Sequence, residues 1–143
     1  MPLYHFHRAP TGSAVVTSVL AAFPVACFTL TLLTDLAYWA SAQLMWQDFS
    51  AWLLLAGLVF GGLAILAWLV GQATHRHPVN WGAAILNLVV LVLAVLNSLV
   101  HAGDGWTGVV PWGLGLSALT VLLMLVSGVV SWSSADRLKV SHV

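Results

Sequence analysis

The feature that most constrains this chain is its succession of long apolar segments separated by short polar connections. The apolar segments occupy about 13–40, 50–71, 80–101 and 109–132. A helix that crosses the hydrocarbon core of a membrane needs about 20 mostly apolar residues, and each segment has that length. Short connections make consecutive helices antiparallel neighbours. The sequence therefore predicts an all-α fold, an integral membrane four-helix up-down bundle that forms one domain over residues 1–143.

The scarcity of charge supports a membrane setting. Charged residues make up 6% of the chain, against roughly 25% in soluble domains. So few charges are too few for a water-facing surface, and most of the surface should therefore contact lipid. The formal net charge is zero, which argues against nucleic acid as a partner.

The basic residues predict how the bundle lies across the membrane. All of them fall before the first segment, between the second and third, or after the fourth: Arg8, Arg76, Arg137 and Lys139. The opposite connections contain Asp48 and Asp104 and no Lys or Arg. The positive-inside rule then places both termini in the cytoplasm (N-in/C-in). We expect a multi-pass protein of a bacterial-type cytoplasmic (inner) membrane.

Asp35 is the one charged residue inside the first apolar segment. An ionisable residue within a membrane span indicates a functional site by default, because burying its charge in hydrocarbon is costly. Asn97 should lie at nearly the same depth in the third segment, and His101 follows it by one helical turn. We expect Asp35, Asn97 and His101 to form a polar pocket in the outer leaflet, with Ser98 and Ser117 nearby. Such a pocket can exchange a proton or bind a quinone-like head group, or else the buried carboxyl simply holds the helices in register.

Histidines on the predicted inner side form a second candidate site. Imidazole nitrogen is a good ligand for zinc, copper and nickel, and a His-x-His pair in extended chain points two rings the same way. Two such pairs are present: His5 with His7, and His75 with His77. A divalent metal is therefore one open cofactor, and interfacial histidines beside lipid phosphates are the alternative. Haem b is not expected, because the spans offer no two facing histidines at one depth.

Small residues in the second segment predict a packing face. Gly57, Gly61 and Gly71 recur near helical spacing, so another backbone can approach closely on that side. The neighbour is either another helix of this chain or a second copy in a homo-oligomer. The sequence contains no nucleophile–base pair, phosphate-binding glycine loop or carboxylate dyad, so catalytic activity of its own is not expected.

Several segments together resemble a known family. They are Phe23–Pro24 followed by an apolar run to Asp35, Ala56–Gly57 through Gly71, Ala84–Asn87, and Leu116–Ser117 through Gly128. This pattern resembles the membrane family called domain of unknown function 2231. The family often has histidines where this chain has Ala22 and Ala83, so the resemblance does not imply histidine ligands at these two positions. Because relatives are sometimes fused to redox domains, the resemblance implies an accessory or anchor subunit beside a redox or quinone-linked partner.

Overall fold

The structure, a computed structural model, describes residues 12–74, 79–103 and 109–140, and in these residues the chain is helical with no strand. The long helices are α1 (Gly12–Ser41), α2 (Leu44–Thr74), α3 (Trp81–Ala102) and α4 (Leu114–Val140). Within the described residues, four helical segments are long and apolar enough to cross a membrane. The structure thus confirms the all-α four-helix membrane bundle, whereas its N-in/C-in direction stays a prediction.

The helices form an antiparallel ring. Each helix packs against the next along the chain, and α4 also packs against α1. The ends of α1 and α3 therefore lie beside the starts of α2 and α4. We call this the closed half of the bundle, and the half in which α1 and α3 begin the open half. The two halves differ in polarity and in packing.

The connection between α1 and α2 is shorter than the sequence predicts. Helix α2 begins at Leu44, whereas the apolar pattern places the start of the second span near residue 50. Only Ala42 and Gln43 separate the two helices, and Ala42 adopts a left-handed φ of 53°. Its N–H donates to the Tyr38 carbonyl oxygen at 2.7 Å and so satisfies a carbonyl at the end of α1. The tight turn places Ser50 inside α2, where it faces the bundle interior.

Helix α2 contributes a buried stripe at helical spacing: Ser50, Leu54, Gly57 and Gly61. A Cβ on Gly57 would overlap the Phe28 ring, and one on Gly61 would lie 2.6 Å from Leu91 Cδ2. Both glycines are thus used for packing inside the chain. The homo-oligomer interface predicted for this stripe stays a prediction. Among the residues that the structure describes, no heavy atom lies within 4 Å of the position that a Cβ on Gly71 would take, so this glycine makes no close packing contact with them.

An apolar core lies at the middle of the bundle and separates its two halves. Its buried members come from three helices: Phe28 of α1, Leu54 of α2, and Val90 and Ala94 of α3. Partly buried Leu123 and Met124 of α4 pack against them. Many large apolar side chains outside this core are exposed, as expected for a surface that contacts lipid instead of water.

Candidate functional site

Asp35 lies at the centre of a polar cluster in the closed half, and every helix contributes to it. The Asp35 carboxyl comes from α1, Ser50 from α2, Asn97 and His101 from α3, and Ser117 from α4. We call these five residues the Asp35 cluster. Asp35 is six residues from the end of α1, about 9 Å at 1.5 Å per residue. The antiparallel arrangement brings the other members to that same level.

The carboxyl group accepts hydrogen bonds on both oxygens. Ser50 Oγ donates to Asp35 Oδ1 at 2.6 Å, and Ser117 Oγ donates to Oδ2 at 2.5 Å. His101 Nε2 lies 2.9 Å from Oδ1. Asp35 and Ser50 are 0% exposed. An unpaired charge at such a place would be strongly unfavourable, and the surrounding donors remove that penalty.

The hydrogen bonds of His101 determine how many protons the Asp35–His101 pair holds. His101 Nδ1 lies 2.9 Å from the Asn97 carbonyl oxygen, which can only accept, so Nδ1 carries a proton. The contact between Nε2 and Asp35 Oδ1 then requires one further proton, on the imidazole or on the carboxyl. In both forms the pair as a whole is neutral. The geometry therefore describes a buried acid–base pair that shares one exchangeable proton.

Asn97 orients the cluster from α3 and retains an unused acceptor. Because the single hydroxyl proton of Ser117 points to Asp35, Asn97 Nδ2 donates to Ser117 Oγ, at 2.7 Å. Asn97 Oδ1 is buried and has no partner among the residues that the structure describes. A buried carbonyl oxygen without a donor is uncommon, and this one can accept a hydrogen bond from a hydroxyl-bearing ligand.

The sequence pattern identified most of this cluster but missed one member, Ser50, and one neighbour, Thr34. Asp35, Asn97 and His101 lie together, and Ser117 joins them, while Ser98 is half-buried and contributes no hydrogen bond to the cluster. Ser50 was missed, and so was Thr34, whose Oγ1 lies 2.7 Å from Ser50 Oγ. Extending the spacing of Gly57 and Gly61 back towards the start of α2 leads to Leu54 and then Ser50. The sequence therefore contained a signal for Ser50, namely its place on the same helical stripe as Gly57 and Gly61.

The histidines of the predicted metal site lie outside the residues that the structure describes. His5, His7, His75 and His77 all lie outside residues 12–74, 79–103 and 109–140. In those described ranges, no group of three or more His, Cys, Asp and Glu side chains is arranged to hold a metal ion. The metal site predicted from the histidine pairs therefore stays a prediction.

The fold and the cluster together define a class: a small multi-pass helical membrane protein with a buried polar site shared by all its spans. The chain belongs to the family described as "Predicted membrane protein (DUF2231)", whose sequence profile matches residues 16–143. This match confirms the resemblance found in the sequence. No curated protein and no solved structure matches the chain.

Proposed function

We propose that this protein is an accessory or anchor subunit of the membrane, and that its Asp35–His101 pair exchanges a proton with a redox or quinone-linked partner. The observation that supports this proposal is the 2.9 Å contact between Asp35 Oδ1 and His101 Nε2 in a fully buried position. Ionisable pairs inside spans commonly mark proton or ligand pathways. Ser50 and Ser117 already donate to both carboxyl oxygens, so His101 adds a titratable group to the site as well as balancing its charge.

The pair suits proton transfer because both of its states are stabilised. With its shared proton the pair is neutral, which suits a buried site. When that proton leaves, the remaining carboxylate keeps the Ser50 and Ser117 hydroxyls as donors, and hydrogen bonds to a charged acceptor are stronger than neutral ones. Imidazole is the side chain whose ordinary titration range lies nearest neutral pH. After the proton leaves, the carboxylate keeps these two donors, while the Nε2 lone pair then faces Oδ1 and favours the return of a proton.

A quinol head group is the ligand that best fits the free acceptor of the cluster. A quinol hydroxyl can donate to Asn97 Oδ1, the buried carbonyl oxygen that has no donor among the described residues. Asn97 is 1% exposed, so a head group reaches it only if the ends of the helices in the closed half separate. We propose that contact with the partner protein brings about this separation, and that the chain alone does not bind quinone tightly.

Purification from native membranes in a mild detergent tests the proposal. We expect the tagged wild-type chain to retain a redox protein and a stoichiometric quinone. The Asp35→Asn variant, which keeps the size of the side chain, should retain the partner and lose proton-coupled electron transfer in the complex. Asp48→Asn, at an exposed position near the start of α2, is the matched control and should behave as the wild type.

Two results would overturn this function. One is a wild-type chain that purifies without a redox partner and without quinone. The other is an Asp35→Asn complex with unchanged electron transfer and a lowered unfolding temperature, which would make the cluster a purely structural lock. The proton itself can be followed by infrared spectroscopy, because protonation changes the carboxyl stretching bands of Asp35, and Asp35→Asn removes them.

The alternative function is binding of a divalent metal by the predicted inner-side histidines His5, His7, His75 and His77. Two His-x-His pairs could supply four imidazole nitrogens, a ligand set suited to zinc, copper or nickel. Metal analysis of protein purified without a histidine tag tests this proposal. A metal content near one per chain that falls in a His75→Ala, His77→Ala variant would support it, and a metal-free wild type would exclude it.

A further inference from the structure

A cavity of about 670 Å³ lies inside the open half of the bundle. Residues from all four helices line it, and it is separate from the Asp35 cluster. Phe28 and Val90, two members of the apolar core, line its deep end. Gln72 and Trp81 line it at the other end, beside the end of α2 and the start of α3. The cavity thus runs from the middle of the bundle to the membrane surface of the open half.

The polarity of the lining changes along this path. Near the helix ends the cavity is lined by Thr17, Gln72, Asn80 and Ser131, together with Trp81, whose ring is 69% exposed. Exposed tryptophans are typical of the interface between hydrocarbon and lipid head groups. Deeper inside, the walls are mostly Ala, Ile, Leu and Val side chains. This gradient matches an amphiphile whose apolar chain points towards the middle of the bundle.

One polar group interrupts the apolar wall. Asn87 lines the cavity six residues from the start of α3, about 9 Å deeper than Trp81 at 1.5 Å per residue. Ser127 Oγ donates to Asn87 Oδ1 at 2.8 Å. This hydrogen bond fixes the orientation of the Asn87 amide, and the Nδ2 hydrogens point away from Ser127. No residue that the structure describes accepts a hydrogen bond from Asn87 Nδ2. A ligand in the cavity therefore meets an oriented hydrogen-bond donor about 9 Å below the level of Trp81.

We propose that this cavity binds one acyl chain of a membrane phospholipid, with the ester carbonyl oxygen of that chain accepting a hydrogen bond from Asn87 Nδ2. The ester carbonyls of a phospholipid lie between its head group and its hydrocarbon, and Asn87 lies about 9 Å deeper than Trp81, so a lipid whose ester group reaches Asn87 is drawn several ångströms into the bundle. The volume falls in the range of about 300–1,000 Å³ that is typical of ligand pockets. Water is a poor occupant, because an apolar cavity offers it too few polar partners.

A photoreactive lipid tests this assignment. The wild-type protein is reconstituted in phosphatidylcholine vesicles that contain a phosphatidylcholine with a diazirine in the middle of one acyl chain. After irradiation, the labelled residues are mapped by mass spectrometry. Lipid around the bundle labels outward-facing residues in any case. We expect additional labelling of Leu91 and Met124, because both half-buried residues line the cavity.

Four variants sharpen the result. Ala84→Phe fills the cavity and should abolish the interior labelling, and Ala64→Phe should do the same from α2. Val92→Phe, at an outward-facing position of α3 that is 53% exposed, is the matched control and should leave it unchanged. Asn87→Leu keeps an apolar wall and removes the donor. Loss of one hydrogen bond should lower the interior labelling at limiting lipid by about threefold to tenfold.

Two outcomes would overturn the proposal. The first is a wild-type protein labelled only on outward-facing residues, with the interior labelling absent. The second is interior labelling that a small excess of an isoprenoid quinone removes while unlabelled phosphatidylcholine does not, which would assign the cavity to quinone. Because the Asp35 cluster lies on the other side of the apolar core, failure of this proposal leaves the proposed role of Asp35 and His101 intact.

Discussion

The closed and open halves of the bundle both contain hydrogen bonds between helices, but these bonds lie in different surroundings. In the closed half, Ser50 and Ser117 bond to a single carboxyl group, and all three side chains are buried. In the open half, Ser127 bonds to Asn87 at the wall of a large cavity. Connection length alone does not explain the difference, because the closed half contains both the shortest connection, two residues between α1 and α2, and the longest, eleven residues between α3 and α4, against six between α2 and α3 in the open half. In the closed half a tight turn joins α1 to α2, and the hydrogen bonds of the Asp35 cluster hold α3 and α4 against them.

One small bundle can thus hold two independent sites. The apolar core of Phe28, Leu54, Val90 and Ala94 lies between them. Polar groups concentrate where the helices converge, because short hydroxyl side chains allow close approach and need partners inside hydrocarbon. Apolar side chains and small residues surround the cavity, where lipid can replace the missing protein contacts. Paired substitutions in the two halves should therefore have unequal effects.

The largest effect is expected for Asp35→Ala. This change leaves His101 Nε2 and the Ser50 and Ser117 hydroxyls facing a buried space without an acceptor. The free energy of unfolding should fall by about 3–5 kcal/mol, as for other broken buried pairs. Reversible unfolding in mixed micelles measures it, with exposed Asp48→Ala as the control that should change it by less than about 0.5 kcal/mol. If Asp35→Ala instead lowered the free energy of unfolding by less than about 1 kcal/mol, the cluster would not be what holds the closed half together.

The second comparison is between two substitutions that remove apolar side-chain volume, one in the apolar core and one in the wall of the cavity. Leu54 is 1% exposed in the apolar core, so Leu54→Ala should lower the free energy of unfolding by about 2–5 kcal/mol. Ile65 lines the cavity, so Ile65→Ala enlarges an existing space and should have a clearly smaller effect, about 1 kcal/mol or less. The same unfolding measurement applies to both variants. Equal losses would indicate that the open half is packed as tightly as the core.

The third comparison uses glycines of α2. Gly57→Ala places a methyl group against the Phe28 ring and should lower the free energy of unfolding by about 1–3 kcal/mol. A Cβ on Gly62 would have no neighbouring atom of the described part of the chain within 4 Å, so Gly62→Ala should be neutral or stabilise the helix by about 0.5–1 kcal/mol. If Gly57→Ala instead left stability unchanged and altered the oligomeric state in detergent, the glycine stripe would belong to an interface between copies.

The smallest effect is expected for Ser127→Ala, which removes one interhelical hydrogen bond beside the cavity. Such bonds in membrane bundles contribute about 0.6 kcal/mol on average. Ser117→Ala removes a donor to the Asp35 carboxyl and should cost about 1.5–3 kcal/mol, because hydrogen bonds to charged groups are stronger. The ratio of the two losses, measured in one detergent, tests whether the halves differ energetically. Similar losses would argue against a special role for the closed half.

The four spans and most of the Asp35 cluster can be predicted from the amino-acid sequence alone. Helical periodicity and depth along each span placed Asp35, Asn97 and His101 near one another, because residues of neighbouring helices at equal distances from one end of the bundle must lie at one level. The family resemblance also came from the sequence, and the family match confirms it. These features follow from local regularities, namely hydrophobic run length, spacing and connection length.

Only the packed bundle reveals which residues complete the cluster and where the helices open. Ser50 joins Asp35 because Ala42 adopts a left-handed conformation that shortens the turn, and alanine gives no sequence signal for it. The inward placement of Gly57 and Gly61 depends on the Phe28 and Leu91 side chains that fill the space beside them. The cavity arises from how far the helices separate. Separation, rotation and turn geometry are properties of all four helices packed together, and hydropathy along one chain does not encode them.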